Sequence, residues 1–310
     1  MSPRGESMKL STFETLKNLR SDSEQLIRVD GETLVRYQET LLHMAEDIIA
    51  VCEEKKIYYQ LSGGTVLGAV RHGGFIPWDD DIDLNIRSGD MKRLADALRE
   101  RYGDRYHVQN CYDPEYGNVT GKVRLRGSVA RSRDDVGMKE CGFAIDLFPI
   151  ENYFDNPLLY WLHGVLCMGT GFLLSCRRFY ENREFYRKLE DGAPEVRKTF
   201  ERKIFIGSLI SFLSVRRWSI ITNACYSLCR NRKTKRVGIP SGRGHYFKET
   251  YSREGMIRRI LANFEGHRWA IPKDYKDYLR KLYGRDYMTL PPEEKREKHF
   301  LLELQFPEDD

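Results

Sequence analysis

Tyr58 to Ile86 reads YYQLSGGTVLGAVRHGGFIPWDDDIDLNI, and the fold turns on how this stretch divides. Ile57, Tyr59 and Leu61 supply strand-forming bulk, and Ser62-Gly63-Gly64 breaks the run where the backbone must turn tightly. From Thr65 to Arg71, Ala, Leu and Val fall at helical spacing, and Gly73-Gly74 stops the pattern. Ile82, Leu84 and Ile86 alternate, which predicts a second strand with one apolar face. By the same period of two, Asp79, Asp81 and Asp83 share the opposite face.

Carboxylates crowded on one strand face repel each other and require a counter-charge. Oxygen-loving divalent cations, Mg2+ or Mn2+, are the usual one, and they bridge to substrate phosphates. A glycine turn that opens a helix leaves backbone N–H groups able to hold a phosphate. Turn, helix and aspartates together point to phosphoryl chemistry. An Asp-rich run taken alone reads as a charged loop before an ordinary edge strand; the combination weighs against that.

The segment LSGGTVLGAVRHGGFIPWDDDIDL resembles the signature of the LicD/fukutin-related family, whose fold is similar to that of nucleotidyltransferases. The nucleotidyltransferase pattern, a glycine pair followed by Asp-apolar-Asp, is met by Gly63-Gly64 and Asp81-Ile82-Asp83, with a somewhat longer gap between them. The resemblance implies transfer of a phospho-alcohol group, such as phosphocholine or ribitol phosphate, from a CDP-linked donor to a cell-surface glycan or its lipid-linked precursor.

With 310 residues the chain can bury a full core. An apolar share of 41% beside a charged share of 31% argues against a polytopic membrane protein and against wholesale disorder. The net charge of +5 is small beside 51 basic and 46 acidic side chains, so it fits phosphate contact without indicating it. No arginine-aromatic RNA-recognition module is present, and no nucleic acid partner is expected. Seven scattered cysteines with no C-x-x-C pair suit neither a zinc site nor a disulfide framework, and predict a reducing compartment. The N-terminal MSPRGESMKLSTFE lacks an apolar signal core, so a cytoplasmic location is expected.

In chain order, residues 1–29 form a polar segment, with Phe13, Leu16 and Leu19 able to make a short docking helix. Leu34, Tyr37, Leu41, Ala45, Ile48 and Cys52 predict a helix over 30–55. Ser88 is placed to cap the next helix, which buries Met91, Leu94, Ala95 and Leu98 and ends at Gly103. Tyr106–Cys111 and Val119–Leu125 read as strands; in the second, Lys122, Arg124 and Arg126 share one side. That side is either a solvated face or a track for the donor diphosphate, with Arg71 a further phosphate partner. Phe143–Phe148 is a strand that carries Asp146 among strongly strand-forming neighbours. A buried carboxylate needs a partner: an ion pair with Lys122 or Arg124, or a metal shared with Asp81 and Asp83. The resemblance favours the metal, through Asp146-Leu147-Phe148-Pro149.

A boundary is expected near Asn156-Pro157, which leaves a catalytic core at 30–155, a variable helical region at 156–236 and a C-terminal block at 237–310. Leu158 to Cys176 carries no charge and is long enough to span a bilayer. His163 and three glycines weaken a span, while Tyr160 and Trp161 suit an interface, so buried or surface-lying helices are expected, resting on the cytoplasmic face of the membrane. Phe264 to Phe300 again resembles the family through Phe-Glu-Gly, Ile-Pro, Leu-Tyr-Gly and Leu-Pro-Pro, and Lys295, Arg296 and His299 within it are candidate phosphate contacts.

The fold class is α/β: a small mixed nucleotidyltransferase-like sheet with flanking helices and a mostly helical C-terminal part. The expected enzyme is an Mg2+- or Mn2+-dependent phosphotransferase. Asp81, Asp83 and Asp146 are its metal-binding and catalytic carboxylates, and Ser62, Gly63, Gly64, Arg71, Lys122, Arg124 and His299 are its substrate contacts. Two alternatives use the same residues differently: nucleotidyl transfer to a small acceptor, and a non-catalytic membrane-surface module for which the aspartates would be dispensable.

Overall fold

The computed structural model describes residues 27–113, 115–132, 135, 138–188, 194–296 and 300–307. The expected docking helix and His299 lie outside the described residues.

β1 (Ile27–Arg28) leads into α1 (Gly31–Glu54), whose expected stripe from Leu34 to Cys52 is buried. β2 (Tyr59–Leu61) follows, then α2 (Gly63–Arg71) and β3 (Asp83–Arg87). After a 3-10 turn at Ser88–Asp90 comes α3 (Met91–Tyr102), which buries the four residues expected of it. Asp90, and not Ser88, stands at its N-cap, because the turn consumes the first three residues. β4 (Tyr106–Gln109), β5 (Gly121–Leu125), β6 (Val129–Arg131) and β7 (Ala144–Tyr153) complete the first half.

The main sheet runs β2-β3-β7-β5-β4, with β3 and β7 parallel and the other neighbours antiparallel. This is the small mixed sheet anticipated from the sequence. β7 is long enough to serve twice. Its first half lies between β3 and β5, and its second half carries β8 (Arg236–Gly238), which in turn pairs with β9 (Thr250–Ser252).

β3 starts later than alternation suggested. Leu61 pairs with Leu84, Ser62 donates its N–H to the Asp83 carbonyl at 2.9 Å, and Gly63, at φ +51°, turns the chain away. No strand residue of β2 remains to pair with anything before Asp83. Asp79, Asp80 and Asp81 therefore lie in the loop that enters the strand, and Asp83 is its first residue.

Four helices follow β7: α4 (Pro157–Glu181), α5 (Arg183–Lys188), α6 (Pro194–Leu209) and α7 (Val215–Tyr226). Asn156 starts α4 where the composition changes, its side-chain oxygen accepting from Leu158 N at 3.0 Å and Leu159 N at 3.1 Å, with Pro157 at the first helical position. The last part holds strand as well as helix. Short α8 (His245–Lys248) and α9 (Arg253–Ile257) precede a hairpin of β10 (Arg259–Phe264) and β11 (His267–Pro272). Glu265 and Gly266, both at positive φ, make its two-residue turn. α10 (Tyr275–Tyr283) comes next, then β12 (Phe300–Leu301) against β1 and β13 (Glu303–Gln305) against β6. Trp269, Ile271, Tyr278 and Leu279 from this last part share one apolar core with α1 and the sheet. All seven cysteines are unpaired and six are buried, so they act as core side chains.

Candidate active site

The parallel pairing of β3 and β7 sets Asp83 opposite Asp146, and the antiparallel pairing of β7 and β5 sets Asp146 opposite Lys122. Neighbouring strands lie about 4.8 Å apart, so residues in register stand side by side on one face of the sheet. Lys122 donates to Asp146 Oδ2 at 3.1 Å, the ion pair considered for this strand from its sequence.

The glycine pair lies directly against this row. A Cβ on Gly63 would stand 3.2 Å from Asp83 Oδ2; one on Gly64 would stand 3.0 Å from Asp79 Oδ2 and 4.0 Å from Asp81 Oδ1. Asp83 is anchored through its backbone, its N–H donating to Thr65 Oγ1 at 2.9 Å. Gly64→Ala should thus press a methyl group on the carboxylates while adding a good helix former. We expect turnover to fall at least tenfold with the thermal midpoint within a few degrees of the parent, measured by activity and calorimetry on the same preparation.

Burial, then the nearby Asp81, Asp146 and Asp79 carboxylates, push the Asp83 carboxyl well above its ordinary range, with Lys122 pulling the other way. Burial opposes the charge on Lys122, yet the Asp146 and Asp135 carboxylates outweigh it and raise the ammonium above its usual value. Burial and three neighbouring carboxylates thus oppose the charge on Asp83, a setting that a hard divalent cation relieves. Among the described residues no three His, Cys, Asp or Glu side chains already form a closed metal cage. Mg2+ does not need one, since it binds through one or two carboxylates and fills its shell with water and substrate phosphate oxygens. The donor set fits such a cation.

Two tyrosines of α10 complete the site, and neither is marked for this role by the sequence pattern. Gly63 N–H donates to the Tyr278 hydroxyl at 2.8 Å, and Ser62 Oγ lies 3.2 Å from the same oxygen. Ser62 and the Gly63 amide are therefore tied to Tyr278, and a phosphate reaching them must share or replace that hydroxyl. The Tyr283 hydroxyl would lie 3.8 Å from a Gly64 Cβ. Its proton is held firmly, by burial first and then by Tyr278, Asp79 and Asp81, against the pull of Arg243. Tyr278 is buried beside Leu279 on the apolar stripe of this helix, so only its phenol end betrays a second role. Tyr283 sits within the Leu-Tyr-Gly motif, the one signal that could have found it.

Arg71 stands at the rim. It donates to the Tyr287 carbonyl at 2.9 Å, and burial lowers its pKa against the pull of Tyr283 and Asp79. Arg296 stacks on Trp78 at 4.4 Å, which brings the C-terminal segment over the loop that delivers the aspartates. Arg124 is buried against protein partners. Its side chain is 2% exposed and meets Asp135 Oδ1 at 2.5 Å, with Gln109 Oε1 at 3.1 Å. Arg126 lies beyond the end of β5, exposed, on the Gly103 carbonyl.

Residues 56–156 match the LicD/FKTN/FKRP nucleotidyltransferase domain, the span that contains every element of this carboxylate row. Over 276 residues the chain is 27% identical to the lipopolysaccharide cholinephosphotransferase LicD of Haemophilus influenzae, covering 87% of this chain and 97% of that one. It is 45% identical over 51 residues to the human ribitol 5-phosphate transferase FKRP, covering 16% of this chain and 10% of that one. An uncharacterised protein of Rickettsia prowazekii is 39% identical over 140 residues, 45% of this chain and 50% of its own. The glycine turn, the paired aspartates and their lysine thus all lie within the span that is similar to the LicD/FKTN/FKRP nucleotidyltransferase domain.

Proposed function

We propose that this protein transfers a phospho-alcohol group from a CDP-linked donor to a hydroxyl of a glycan, leaving a phosphodiester on the glycan and releasing CMP. The observation that carries the reading is the register of Asp83, Asp146 and Lys122 beneath the Gly63–Gly64 turn. The relatives support its coarser form, since one is named as a cholinephosphotransferase and another as a ribitol phosphate transferase.

In this reaction the acceptor oxygen attacks the phosphorus that bears the alcohol, and the bond from that phosphorus to the bridging oxygen breaks. The electron pair leaves with CMP, and the acceptor proton passes to a carboxylate. Asp146 suits that role, being half-buried and fixed in orientation by Lys122 at 3.1 Å. Lys122 and Arg71 offer positive charge to the donor diphosphate, and the backbone of the Ser62–Gly64 turn packs against it. Tyr283, holding its proton, can donate to a phosphate oxygen. A divalent cation, held by Asp81 and Asp83 with Asp146 beside them, would neutralise charge on the transferred group and the departing nucleotide.

The test is incubation of the purified chain with Mg2+ and a panel of CDP-alcohols, with CMP release followed chromatographically. CMP should appear with one alcohol and should vanish with chelator. Nucleotide found covalently on the acceptor would instead assign nucleotidyl transfer. No turnover with any CDP-alcohol in the presence of a glycan acceptor extract would reject the donor class.

A further inference from the structure

α4 is built inside out for a helix in water. Its outward side carries Leu158, Leu159, Trp161, Leu162, Val165 and Leu166, each between 42% and 65% exposed. Its inward side carries His163, Gly164, Cys167 and Thr170, all buried. A helix at a protein surface normally shows the reverse arrangement. The inward side is held in place: His163 bonds the Cys225 carbonyl at 2.8 Å and the Tyr246 hydroxyl at 3.0 Å, and Thr222 donates to the Thr170 carbonyl at 3.3 Å. The helix cannot roll to hide its leucines. α6 and α7, which pack on α4, add Phe205 and Leu209, each 64% exposed, and Ile220 and Ile221.

Charge identifies what covers this face. No charged residue occurs from Pro157 to Cys176, and from Arg202 to Lys248 there are eleven Lys and Arg with no Asp or Glu. Arg217, Arg230, Arg232 and Lys233 are exposed. Two copies meeting through this region would bring cation-rich surfaces together, since the acids at its margin, Glu181 and Glu201, already pair with Arg177 and Arg187 of the same chain. An anionic bilayer offers the complementary charge and an apolar interior. Spanning is excluded by the helix's own attachments. Near its start the Tyr160 hydroxyl lies 2.9 Å from Thr250 Oγ1, and near its end Arg178 donates to the Gly117 carbonyl at 2.7 Å. Both ends are fastened to one body of protein, so the helix lies along a surface and does not cross it.

We propose that α4, α6 and α7 form a docking face for an anionic lipid bilayer, the leucines and Trp161 entering the interface and the flanking cations meeting headgroups. This stands apart from the reaction assigned above, and its test does not use turnover. The full chain is sedimented with vesicles of phosphatidylcholine, with and without phosphatidylglycerol, at low and high salt. Binding should require phosphatidylglycerol and weaken with salt. Arg217→Ala should weaken it roughly fivefold, the worth of one cation near such a surface. Leu162→Glu with Val165→Glu should lose at least tenfold with circular dichroism unchanged. Absence of binding at low salt, or binding indifferent to the paired glutamates, overturns the proposal. So does a dimer in solution that the glutamates dissociate, which assigns the face to a second copy. Resistance to alkaline carbonate extraction from native membranes would also overturn it, in favour of a span.

Discussion

Asp83→Asn is expected to lower turnover by on the order of a thousandfold while leaving the fold intact, the loss typical when a positioned acid–base or charge-bearing group is removed. The substitution keeps the shape of the side chain. It touches neither the Asp83 N–H bond to Thr65 nor its carbonyl bond from Ser62, which are backbone contacts. In metal-free protein the variant should be the more stable one at neutral pH, and the sign follows from the raised carboxyl. The folded state keeps its proton above the ordinary aspartate value of 3.8, where the unfolded state has lost it. The stability that Asp83 contributes is present below that value and declines as pH rises through the raised folded-state value. The advantage of asparagine should therefore disappear in acid, as read from denaturant midpoints at two pH values. Asp146→Asn should be comparably damaging, and the double variant no worse than either single one, because the residues act as a unit. Asp79→Asn should be milder. Near-normal turnover by Asp83→Asn at saturating Mg2+ would sink the site assignment and leave the fold untouched.

The parts of this site that sequence made legible are those governed by short-range periodicity. Alternation marked Leu84 and Ile86 as inward residues of β3, and an aspartate among strand formers marked Asp146. Strand alternation also set Lys122 on the side that meets it. The same rule overreached at Asp79 and Asp81, since alternation continues in the letters after pairing has ended at Gly63. What no local pattern reveals is a contact made at long range. Tyr278 reaches Gly63 across 215 positions, from a helix whose stripe reads as packing. Asp135 lies in a segment without period, and nothing local says that Arg124 is turned toward it. A cation in strand alternation looks the same whether its partner is phosphate or protein.

Removing the Arg124 guanidinium is expected to act on stability, with donor binding affected only through it. Arg124 and Asp135 are 2% and 4% exposed at the side chain. Asp135 spends its second oxygen on Ser132, whose N–H and hydroxyl donate at 3.1 Å and 2.6 Å. Burial works against its charge, but Lys122, Arg124 and Ser132 together hold the carboxyl below its ordinary range. Arg124→Ala would leave that carboxylate buried without its closest counter-charge, which typically costs about 3–5 kcal/mol. In a chain of this size that corresponds to a fall in thermal midpoint of roughly 5–15 °C. Replacing both partners, Arg124→Met with Asp135→Leu, should recover most of the loss, because well-packed apolar pairs commonly match or exceed a buried ion pair. Calorimetry on the two variants decides the matter alongside KM for the donor. A raised KM in Arg124→Ala with an unchanged midpoint would return Arg124 to the donor site. A lowered midpoint that the double variant restores would confirm it as the strut behind Lys122, whose own charge Asp135 helps to hold beside Asp146.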